Sequence, residues 1–301
     1  MEDKKEKLPS TRIQWYPGHM AKTKKQIIED LKLVDVVIEL LDARIPRSSQ
    51  NPDIGELVKN KKRIVVLNKS DLADEKETKK WIDYFKSKNV KALEIDSNQG
   101  KGIQNVTKSI EEIMEEDLKV QSQKGRIRKT VRVMIVGIPN VGKSSFINRI
   151  SKKTTMAVGN RPGVTTQKQW IRIGNQIELL DTPGVLWPKF ESNEVGLNLA
   201  YTGSIKDEVL DKEEIAYYLI KFLEENYNAN LCEKYKIKQE ELETIKENPQ
   251  YHYELMQLIG RKRGALVSGG NVDETKVANL VLDDFRSGKI GRITIEKAGE
   301  K

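Results

Sequence analysis

Cysteine is almost absent from the chain: its 301 residues include a single one, Cys232. One thiol can form neither an intramolecular disulfide framework nor a zinc knuckle with several cysteine ligands, which points to a reducing compartment. Long apolar runs are also missing, since no segment approaches the ~18 apolar residues of a membrane-spanning helix. The first ten residues are charged and lack the apolar stretch of a secretory signal. We therefore expect a cytoplasmic protein with no membrane partner.

The remaining composition is that of a folded chain. Hydrophobic residues make up 37% and charged residues 33%, which is too apolar for a disordered tail and too polar for a membrane protein. At ~150 residues per domain, the length predicts roughly two domains. Lys and Arg number 53 against 45 Asp and Glu, a net charge of +8. This sign of charge is typical of a protein whose partner carries phosphates.

Short apolar runs alternate with amphipathic segments over much of the chain. The runs are rich in Val, Ile and Leu, and each precedes a helix-like segment, which is typical of buried parallel strands in βαβ units. They span residues 34–42, 63–71, 91–97 and 131–137. Two further runs, 169–174 and 176–181, meet at a Gly-Asn turn and predict a hairpin. The predicted fold class is α/β, a mostly parallel sheet with helices on both faces.

The β pattern stops near residue 190. Beyond it, apolar residues recur at helical spacing through 213–223, 253–260 and 274–285. We predict an α/β domain over 1–190, which includes a basic N-terminal segment, and a small all-helical domain over 191–301. Residues 119–132 contain six Lys or Arg and no acid, and we interpret them as a linker within the first domain.

The sharpest local signal is GIPNVGKS at residues 137–144, which follows a predicted strand and precedes a helix. It matches G-x-x-x-x-G-K-[ST], in which glycines let backbone N–H groups point at phosphate oxygens beside a helix N-terminus. Lys143 is expected to reach the β- and γ-phosphates, and Ser144 is expected to ligate Mg²⁺. The other residues predicted to contact the nucleotide here are Asn140, Val141, Gly142 and Ser145.

A second motif selects the base. Asn68, Lys69, Ser70 and Asp71 end a predicted strand, and N-K-x-D is the guanine-reading sequence of Ras-like GTPases. The Asp71 carboxylate can accept from both N1–H and the exocyclic amine of guanine, whereas the N1 acceptor of adenine would leave its charge unpaired. We therefore predict GTP and GDP as ligands. Asp71 also argues against an ATP-driven RNA remodeller.

Three shorter segments complete the expected site. Asp181 and Gly184 belong to a D-x-x-G motif, in which the Asp holds Mg²⁺ through water and the Gly amide senses the γ-phosphate. Thr165 lies where a GTPase keeps the threonine that completes the magnesium shell, and we choose it over its neighbour Thr166. Asp96 and Ser97 follow a predicted strand and fit the short loop that contacts the base.

The order of these motifs is unusual. A Ras-like GTPase reads P-loop, threonine switch, D-x-x-G, N-K-x-D and Ser loop, whereas this chain begins with N-K-x-D and the Ser loop and ends with D-x-x-G. Because domain termini often lie close together, joining the old ends and opening new ones can preserve the sheet. The first domain is therefore predicted to be a circularly permuted Ras-like P-loop GTPase domain, with the basic linker as the join.

With its motifs in this order, the sequence resembles the RbgA/YlqF family of bacterial ribosome-assembly GTPases over nearly the whole chain. The resemblance also rests on WYPGHMAK at 15–22, DARIP at 42–46, DTPGVLWPKF at 181–190 and GRKRG at 260–264. It implies a GTPase that binds a late precursor of the large ribosomal subunit, contacts its rRNA, promotes maturation and leaves after GTP hydrolysis. On the same ground we expect the large subunit to stimulate hydrolysis.

The group that positions the attacking water is not where Ras-like enzymes keep it. They place a Gln just after D-x-x-G, and Val185 occupies that position here. The resemblance implies His19 for this role, and an imidazole titrates near neutral pH. The alternative is that His19 caps the first helix or contacts RNA. In related GTPases without the Gln, an Asn at the position of Asn140 is associated with bound K⁺, so K⁺ activation is a further hypothesis.

Two basic patches are the predicted RNA contacts, one beside aromatic residues that could stack on bases and one in a loop-like stretch between two glycines. They comprise Lys22, Lys24 and Lys25 in the first patch and Arg261, Lys262 and Arg263 in the second. A charge run is usually a solvated face. The alternative function is therefore a signalling GTPase that acts on a protein or membrane partner, with the basic runs incidental.

We expect the protein to be a monomer.

Overall fold

The computed structural model of the protein describes residues 18–123, 130–152, 170–174, 176–187 and 190–299. The chain divides into two compact units. The first unit contains the described residues up to 187 together with 294–299, and the second contains 190–293. Among the described helices, none is long and apolar enough to cross a membrane.

A six-stranded sheet forms the centre of the first unit. Its strands are β1 (Val36–Asp42), β2 (Lys62–Asn68), β3 (Lys91–Glu94), β4 (Val131–Gly137), β5 (Trp170–Ile173) and β6 (Ile177–Asp181). They lie in the order β3-β2-β1-β4-β6-β5, with β5 antiparallel to β6 and the other pairings parallel. The predicted α/β class and the terminal hairpin are confirmed. The guanine-motif strand β2 and the P-loop strand β4 flank β1, as the permuted order requires.

Strand β1 is buried along its whole length, as a continuous apolar run predicts for a strand covered on both faces. The acid in the middle of the strand, Glu39, pairs with Arg63 on β2; burial raises the pKa of Glu39, and Arg63 opposes that shift. The parallel register places Asp42 beside Asn68 at the carboxyl edge of the sheet. Ligands of open α/β sheets bind at this edge, so the register predicts where the site lies.

Five helices belong to the described part of the first unit, and two of them begin at side-chain caps. They are α1 (Gly18–Leu31), α2 (Pro52–Leu57), α3 (Glu75–Ser87), α4 (Ile103–Gln123) and α5 (Lys143–Lys152). Asn51 caps α2, whose first residue is Pro52, and Asp74 caps α3 by accepting from two backbone N–H groups. Helix α5 starts directly after the glycines of the P-loop, which is the strand–loop–helix context that the motif needs.

Helix α4 is longer than predicted. It continues to Gln123, so the first residues of the basic segment 119–132 are helical rather than part of a linker. An i,i+4 pair between Glu115 and Lys119 (2.6 Å) supports the helix across the expected boundary. Residues 124–129 lie outside the described part of the chain.

The second unit is helical where it is described. Its helices are α6 (Asn193–Tyr201), α7 (Lys212–Tyr235), α8 (Gln239–Lys246), α9 (Tyr251–Arg263) and α10 (Glu274–Arg286), and a short 3₁₀ turn spans Asp207–Val209. Helix α7 packs against α9 and α10. Buried residues of this core include Leu219 and Leu223 on α7 and Val281 and Phe285 on α10. Their helical spacing in the sequence is the pattern that predicted these elements.

The basic stretch at residues 261–263 was interpreted from sequence as a loop, and that interpretation is wrong. These residues form the last turn of α9, and Gly264 ends the helix in the left-handed conformation (φ 64°). Gly260 lies inside the helix, where an added Cβ would collide with the side chain of Val272. Its glycine therefore permits close packing and does not make a turn. Cations in the last turn also favour the helix dipole.

The helical domain predicted for 191–301 ends earlier than expected, because residues 294–299 pack on the first unit. We call residues 294–299 the tail. The buried carboxylate of Glu296 accepts from the backbone N–H groups of Arg47 (2.6 Å) and Ser48 (3.0 Å) and from the Ser48 hydroxyl. Trp81 Nε1 donates to the Glu296 carbonyl at 2.9 Å. Charge-assisted hydrogen bonds of this kind leave no trace in hydrophobic periodicity.

Candidate nucleotide-binding site

A cavity of about 410 Å³ opens at the carboxyl edge of the sheet in the first unit. Three segments line it: the end of β2, the loop after β3, and the P-loop with the start of α5. The lining residues are Asn68, Lys69, Asp71, Asp96, Ser97, Asn98, Asn140, Gly142, Lys143, Ser144 and Ser145. The N-K-x-D motif, the Ser loop and the P-loop therefore meet around one cavity although they are far apart in sequence.

Asn68 holds these three segments together. Its Nδ2 donates to the Val141 carbonyl of the P-loop at 2.8 Å, and its Oδ1 accepts from the Ser97 N–H at 3.1 Å and the Ser97 hydroxyl at 2.8 Å. The side chain is buried, so each of its polar atoms is paired within the protein. Gly142 adopts φ 97°, and a Cβ there would overlap the Asn68 amide. Glycine is thus required both by the backbone conformation and by the close approach of Asn68.

Lys69 links the guanine motif to the P-loop. Its Nζ donates to the Asn140 carbonyl at 2.7 Å and pairs with Asp42 Oδ2 at 2.9 Å. Arg44 grips the same carboxylate with two bonds of 2.9 and 2.8 Å. Burial alone would raise the pKa of Asp42, but Arg44 and Lys69 hold it well below its usual range. Asp42 therefore remains ionised at neutral pH and fixes the lysine ammonium.

The loops at the base end of the cavity are shaped by local hydrogen bonds. Ser70 is buried, and its N–H donates to the carbonyl of Ile95, the residue before the Ser loop, at 3.1 Å. The next residue, Asp71, lines the cavity. Asp96 Oδ1 accepts from the N–H groups of Asn98 (2.8 Å) and Gln99 (3.0 Å). The Asp96 carboxylate thus forms the turn of the Ser loop, which is a structural task beside the predicted base contact.

The phosphate end places a buried ammonium near the D-x-x-G motif. Lys143 Nζ lies 3.5 and 3.4 Å from the carbonyl oxygens of Gly137 and Ile138. Burial lowers the pKa of Lys143 to about 8, and the charge of Asp181 opposes that shift. Burial raises the pKa of Asp181, and Lys143 opposes it in turn. An added Cβ on Gly184 would lie 2.9 Å from Lys143 Nζ, so the D-x-x-G motif closely approaches the P-loop lysine.

The predicted magnesium ligands have suitable chemistry. Ser144 supplies a hydroxyl at the start of α5, and Asp181 supplies a carboxylate at the end of β6. Mg²⁺ prefers oxygen ligands and is usually held by one or two side chains together with substrate phosphates and waters. Among the described residues, no group of three or more His, Cys, Asp or Glu could hold a metal ion by itself. Thr165 lies outside the described residues.

The residue after D-x-x-G is held by its backbone. Val185 is buried; its N–H donates to the Gly137 carbonyl at 3.2 Å, and its carbonyl accepts from Asn51 Nδ2 at 3.0 Å. An apolar side chain there cannot orient water. His19 lies in the first turn of α1, and its side chain lies outside the part of the chain that the structure describes.

The first basic patch lies on α1, where Lys22 and Lys25 are exposed. Lys24 is half-buried and forms a 2.6 Å ion pair with Asp53 on α2. Lys24 therefore joins two helices of the first unit, and Lys22 and Lys25 are the members of this patch that face solvent.

The second basic patch lies on the last turn of α9. Residues 261–263 are exposed there, and Lys262 pairs with Glu241 on α8 at 2.7 Å. Arg286, which follows this patch in the sequence, is engaged internally through two ion-pair contacts with Asp207 (3.0 and 2.9 Å) and bonds to carbonyls of α6. Arg261 and Arg263 therefore remain the candidates for contact with a polyanion.

Sequence reasoning missed four residues around this site. Asp42 belongs to a motif that carried the family resemblance, but its contact with Lys69 was not anticipated; its position at a strand end beside Asn68 was the available signal. Arg149 on α5 donates to the Ser97 carbonyl (3.3 Å). Asn51 and Glu296 act through backbone groups distant in sequence, and no sequence pattern points to such contacts.

Known proteins match both the sequence and the fold. A family described as "50S ribosome-binding GTPase" matches residues 132–256, which begin in β4 and leave the guanine motif ahead of the match, as expected of a permuted chain. A Ribosome biogenesis GTPase A from Bacillus cereus is 47% identical over 288 residues, 96% of this chain and 95% of the relative. One from Priestia megaterium is 48% identical over 289 residues, 96% of this chain and 98% of the relative.

A solved structure agrees with these relatives over the same span. GNP-bound YlqF from Thermotoga maritima has a TM-score of 0.65 and 28% identity, and the match covers 93% of this chain and all of that one. Both the sequence and the fold are thus shared along nearly the full length of each protein. The chain therefore belongs to the ribosome biogenesis GTPase A family and is a GTP hydrolase of ribosome biogenesis.

Proposed function

We propose that the protein binds GTP and GDP in the cavity at the carboxyl edge of the sheet, binds late precursors of the large ribosomal subunit through their rRNA, and is released as a monomer after hydrolysis in the cytoplasm. One observation carries the nucleotide assignment: the Asn68 amide bonds to Val141 and Ser97, and so joins the three motifs. Because permutation separates these three motifs in the sequence, contacts such as those of Asn68 must bring them together around the nucleotide.

The chemistry of the lining residues fits a guanine nucleotide from end to end. Asp71 accepts from the guanine N1–H and amine, and Lys69 covers the base from a position fixed by Asp42. Lys143 meets the β- and γ-phosphates, and the start of α5 adds backbone N–H donors. Magnesium, when bound, neutralises phosphate charge, and we assign Ser144, Asp181 and Thr165 to hold it.

His19 is the residue that we assign to orient the attacking water. It lies on α1, and the ion pair between Lys24 and Asp53 fixes α1 to α2. The capping residue of α2, Asn51, in turn bonds to Val185, at the position where Ras-like enzymes keep their Gln. Two contacts, Lys24 to Asp53 and Asn51 to Val185, therefore connect the helix that carries His19 to the chain directly after D-x-x-G. Binding of rRNA by this basic helix could then move His19 and trigger hydrolysis.

The test is single-turnover GTP hydrolysis with and without purified large subunits. We expect the parent protein to be stimulated and His19→Ala to bind GTP normally but lose most of the stimulation. His252→Ala, which removes the other histidine of the chain in the second unit, is the matched control and should respond like the parent. Full stimulation of His19→Ala would contradict the catalytic assignment, and no response of the parent to large subunits would favour the signalling alternative.

Potassium is the second candidate for charge near the phosphates. Asn140 sits in the P-loop with φ 57°, a conformation that Asn and Gly tolerate, and its carbonyl accepts from Lys69. The variant Asn140→Gly preserves this backbone while removing the side-chain oxygen. We expect the parent to hydrolyse GTP faster in K⁺ than in Na⁺, and the variant to lose that difference; equal rates for the parent in both salts would contradict K⁺ activation.

A further inference from the structure

Asn51 makes a contact that capping a helix does not require. Its Oδ1 accepts from the Asp53 N–H at 3.0 Å, which is the ordinary N-cap bond of α2. Its Nδ2 points the other way and donates to the Val185 carbonyl at 3.0 Å. The residue is 3% exposed, so water cannot replace either bond. Asn51 therefore uses both ends of its amide, one for the helix and one for the chain after D-x-x-G.

The contact fixes a backbone segment on both sides. The Val185 N–H donates to the Gly137 carbonyl at the start of the P-loop, and the Val185 carbonyl is held by Asn51. Gly184 precedes Val185 directly and approaches Pro139 so closely that a Cβ would lie 2.8 Å from its nitrogen. The peptide between Gly184 and Val185 is therefore held by a P-loop carbonyl, and the next peptide is held by Asn51, so the two peptides that follow the Gly184 N–H are both restrained.

The same connection reaches the base end of the site. We call residues 42–51 the connector, because they join the end of β1 to the cap of α2. At its first residue, Asp42 pairs with Lys69 of the guanine motif. Ser49 accepts from the Asp42 N–H at 3.1 Å and donates to the Ile45 carbonyl at 2.7 Å, which folds the connector into one compact turn. Asn51 is thus anchored to a rigid part of the site rather than to a mobile loop.

We propose that Asn51 is a positioning residue that sets the preference for GTP over GDP. By fixing the Val185 carbonyl, it restrains the segment that follows Gly184 and so limits the directions in which the Gly184 N–H can face the γ-phosphate. This inference rests on the proposed role of Gly184 in sensing that group. GDP lacks the γ-phosphate, so its affinity depends on the base and P-loop contacts and is independent of Asn51. Loss of the Asn51 amide donor must therefore weaken the triphosphate selectively.

The chain permits a substitution that separates the two bonds. Asn51→Asp keeps a good N-cap acceptor for Asp53 but replaces the donor with an oxygen that faces the Val185 carbonyl. Asn51→Ser keeps a shorter acceptor and removes the donor without adding charge. We expect both variants to bind GDP within about twofold of the parent and a non-hydrolysable GTP analogue about tenfold more weakly, the cost of one buried hydrogen bond. Affinities are measured with fluorescent nucleotides in the presence of Mg²⁺.

A variant that only destabilises the same unit is the matched control. Asp74→Ala removes the N-cap of α3, which accepts from two backbone N–H groups, and leaves Val185 untouched. It should lower the melting temperature without changing the ratio of the two affinities. Equal loss of both nucleotides in the Asn51 variants, or no loss of either, would overturn the positioning role. If the parent binds neither guanine nucleotide, the proposed function itself fails.

Discussion

The burial of Lys143 leads to a measurable proton uptake on nucleotide binding. Without nucleotide, burial lowers the pKa of this ammonium to about 8 despite the nearby Asp181. Phosphate oxygens placed beside Nζ favour the charged form and raise the pKa again. Lys143 therefore keeps its proton to higher pH in the nucleotide-bound state than in the free state. Nucleotide binding takes up protons, and the affinity falls as the pH rises through 8.

The magnitude follows from the fraction of Lys143 that is neutral before binding. With a pKa of about 8, that fraction is ~0.1 at pH 7 and ~0.75 at pH 8.5. Complex formation should therefore take up ~0.1 proton at pH 7 and ~0.75 at pH 8.5. The affinity for GDP should weaken by roughly fourfold between the two. The guanine N1–H and the β-phosphate of GDP exchange protons of their own near the ends of this range, and comparison with a variant that lacks the titrating amine removes their contribution.

The assay is titration calorimetry of GDP in two buffers of unlike ionisation enthalpy at each pH, since the difference in heat gives the number of protons exchanged. Lys143→Arg is the comparison wherever its binding remains measurable, because a guanidinium stays charged throughout and the uptake at pH 8.5 should fall by the ~0.75 proton that Lys143 takes up. Tight binding by the parent with no proton uptake at pH 8.5 would refute the argument, because it would mean that the ammonium is already charged in its buried position.

Three further expectations follow from particular contacts. Glu296→Gln removes the carboxylate charge that the tail places beside the N–H groups of the connector, and should lower the free energy of unfolding of the first unit by ~2 kcal/mol. The control is Lys297→Gln, which changes an exposed residue of the same tail and should leave the melting temperature unchanged. Equal melting temperatures for the two variants would contradict the tail contact. Thr165→Ala should impair Mg²⁺-dependent hydrolysis more than GDP binding, which a comparison of single-turnover rates with GDP affinities tests; equal losses would argue against a switch threonine. Arg261→Glu combined with Arg263→Glu should weaken binding to large subunits in sedimentation while leaving GTP affinity intact, and that binding should fall steeply with salt; a salt-insensitive interaction would favour a protein partner.

The pattern of apolar residues predicted the sheet well, because buried strands appear in the sequence as short continuous runs of apolar residues. The run at 131–137 coincides with β4, and the runs at 169–174 and 176–181 contain the antiparallel pair β5 and β6. The motif spacing was equally informative, since a P-loop needs a strand before it and a helix after it. Ten of the eleven residues that line the cavity were named from the motifs, and the eleventh, Asn98, is the next residue of the Ser loop. Their approach to each other follows from parallel strand ends meeting at one edge.

Patterning failed where contacts between residues distant in sequence, either close packing or hydrogen bonds, decide the structure. The helical turn at residues 261–263 looked like a loop because glycines flank it, yet Gly260 is required by a close approach to Val272. The tail was assigned to the wrong unit because Glu296 binds backbone N–H groups about 250 residues away. Asn51 belongs to no recognised motif, and its bond to the Val185 carbonyl forms only because the fold places the two residues side by side. Such pairings depend on three-dimensional proximity, which a single sequence does not encode locally.

If motifs that are separated in the sequence form one guanine-selective site, Asp71 is the residue on which base selection depends. The measurement is the affinity of the parent and of Asp71→Asn for GDP and for xanthosine diphosphate. Asparagine presents a donor to the exocyclic position, so the variant should bind GDP ~100-fold more weakly, in keeping with a few kcal/mol of unsatisfied polarity, and should now prefer the xanthine nucleotide. Asp74→Asn, which keeps a helix cap three residues away, should bind GDP like the parent. Unchanged GDP affinity in Asp71→Asn would show that this cavity does not read guanine through the N-K-x-D motif and would contradict the account.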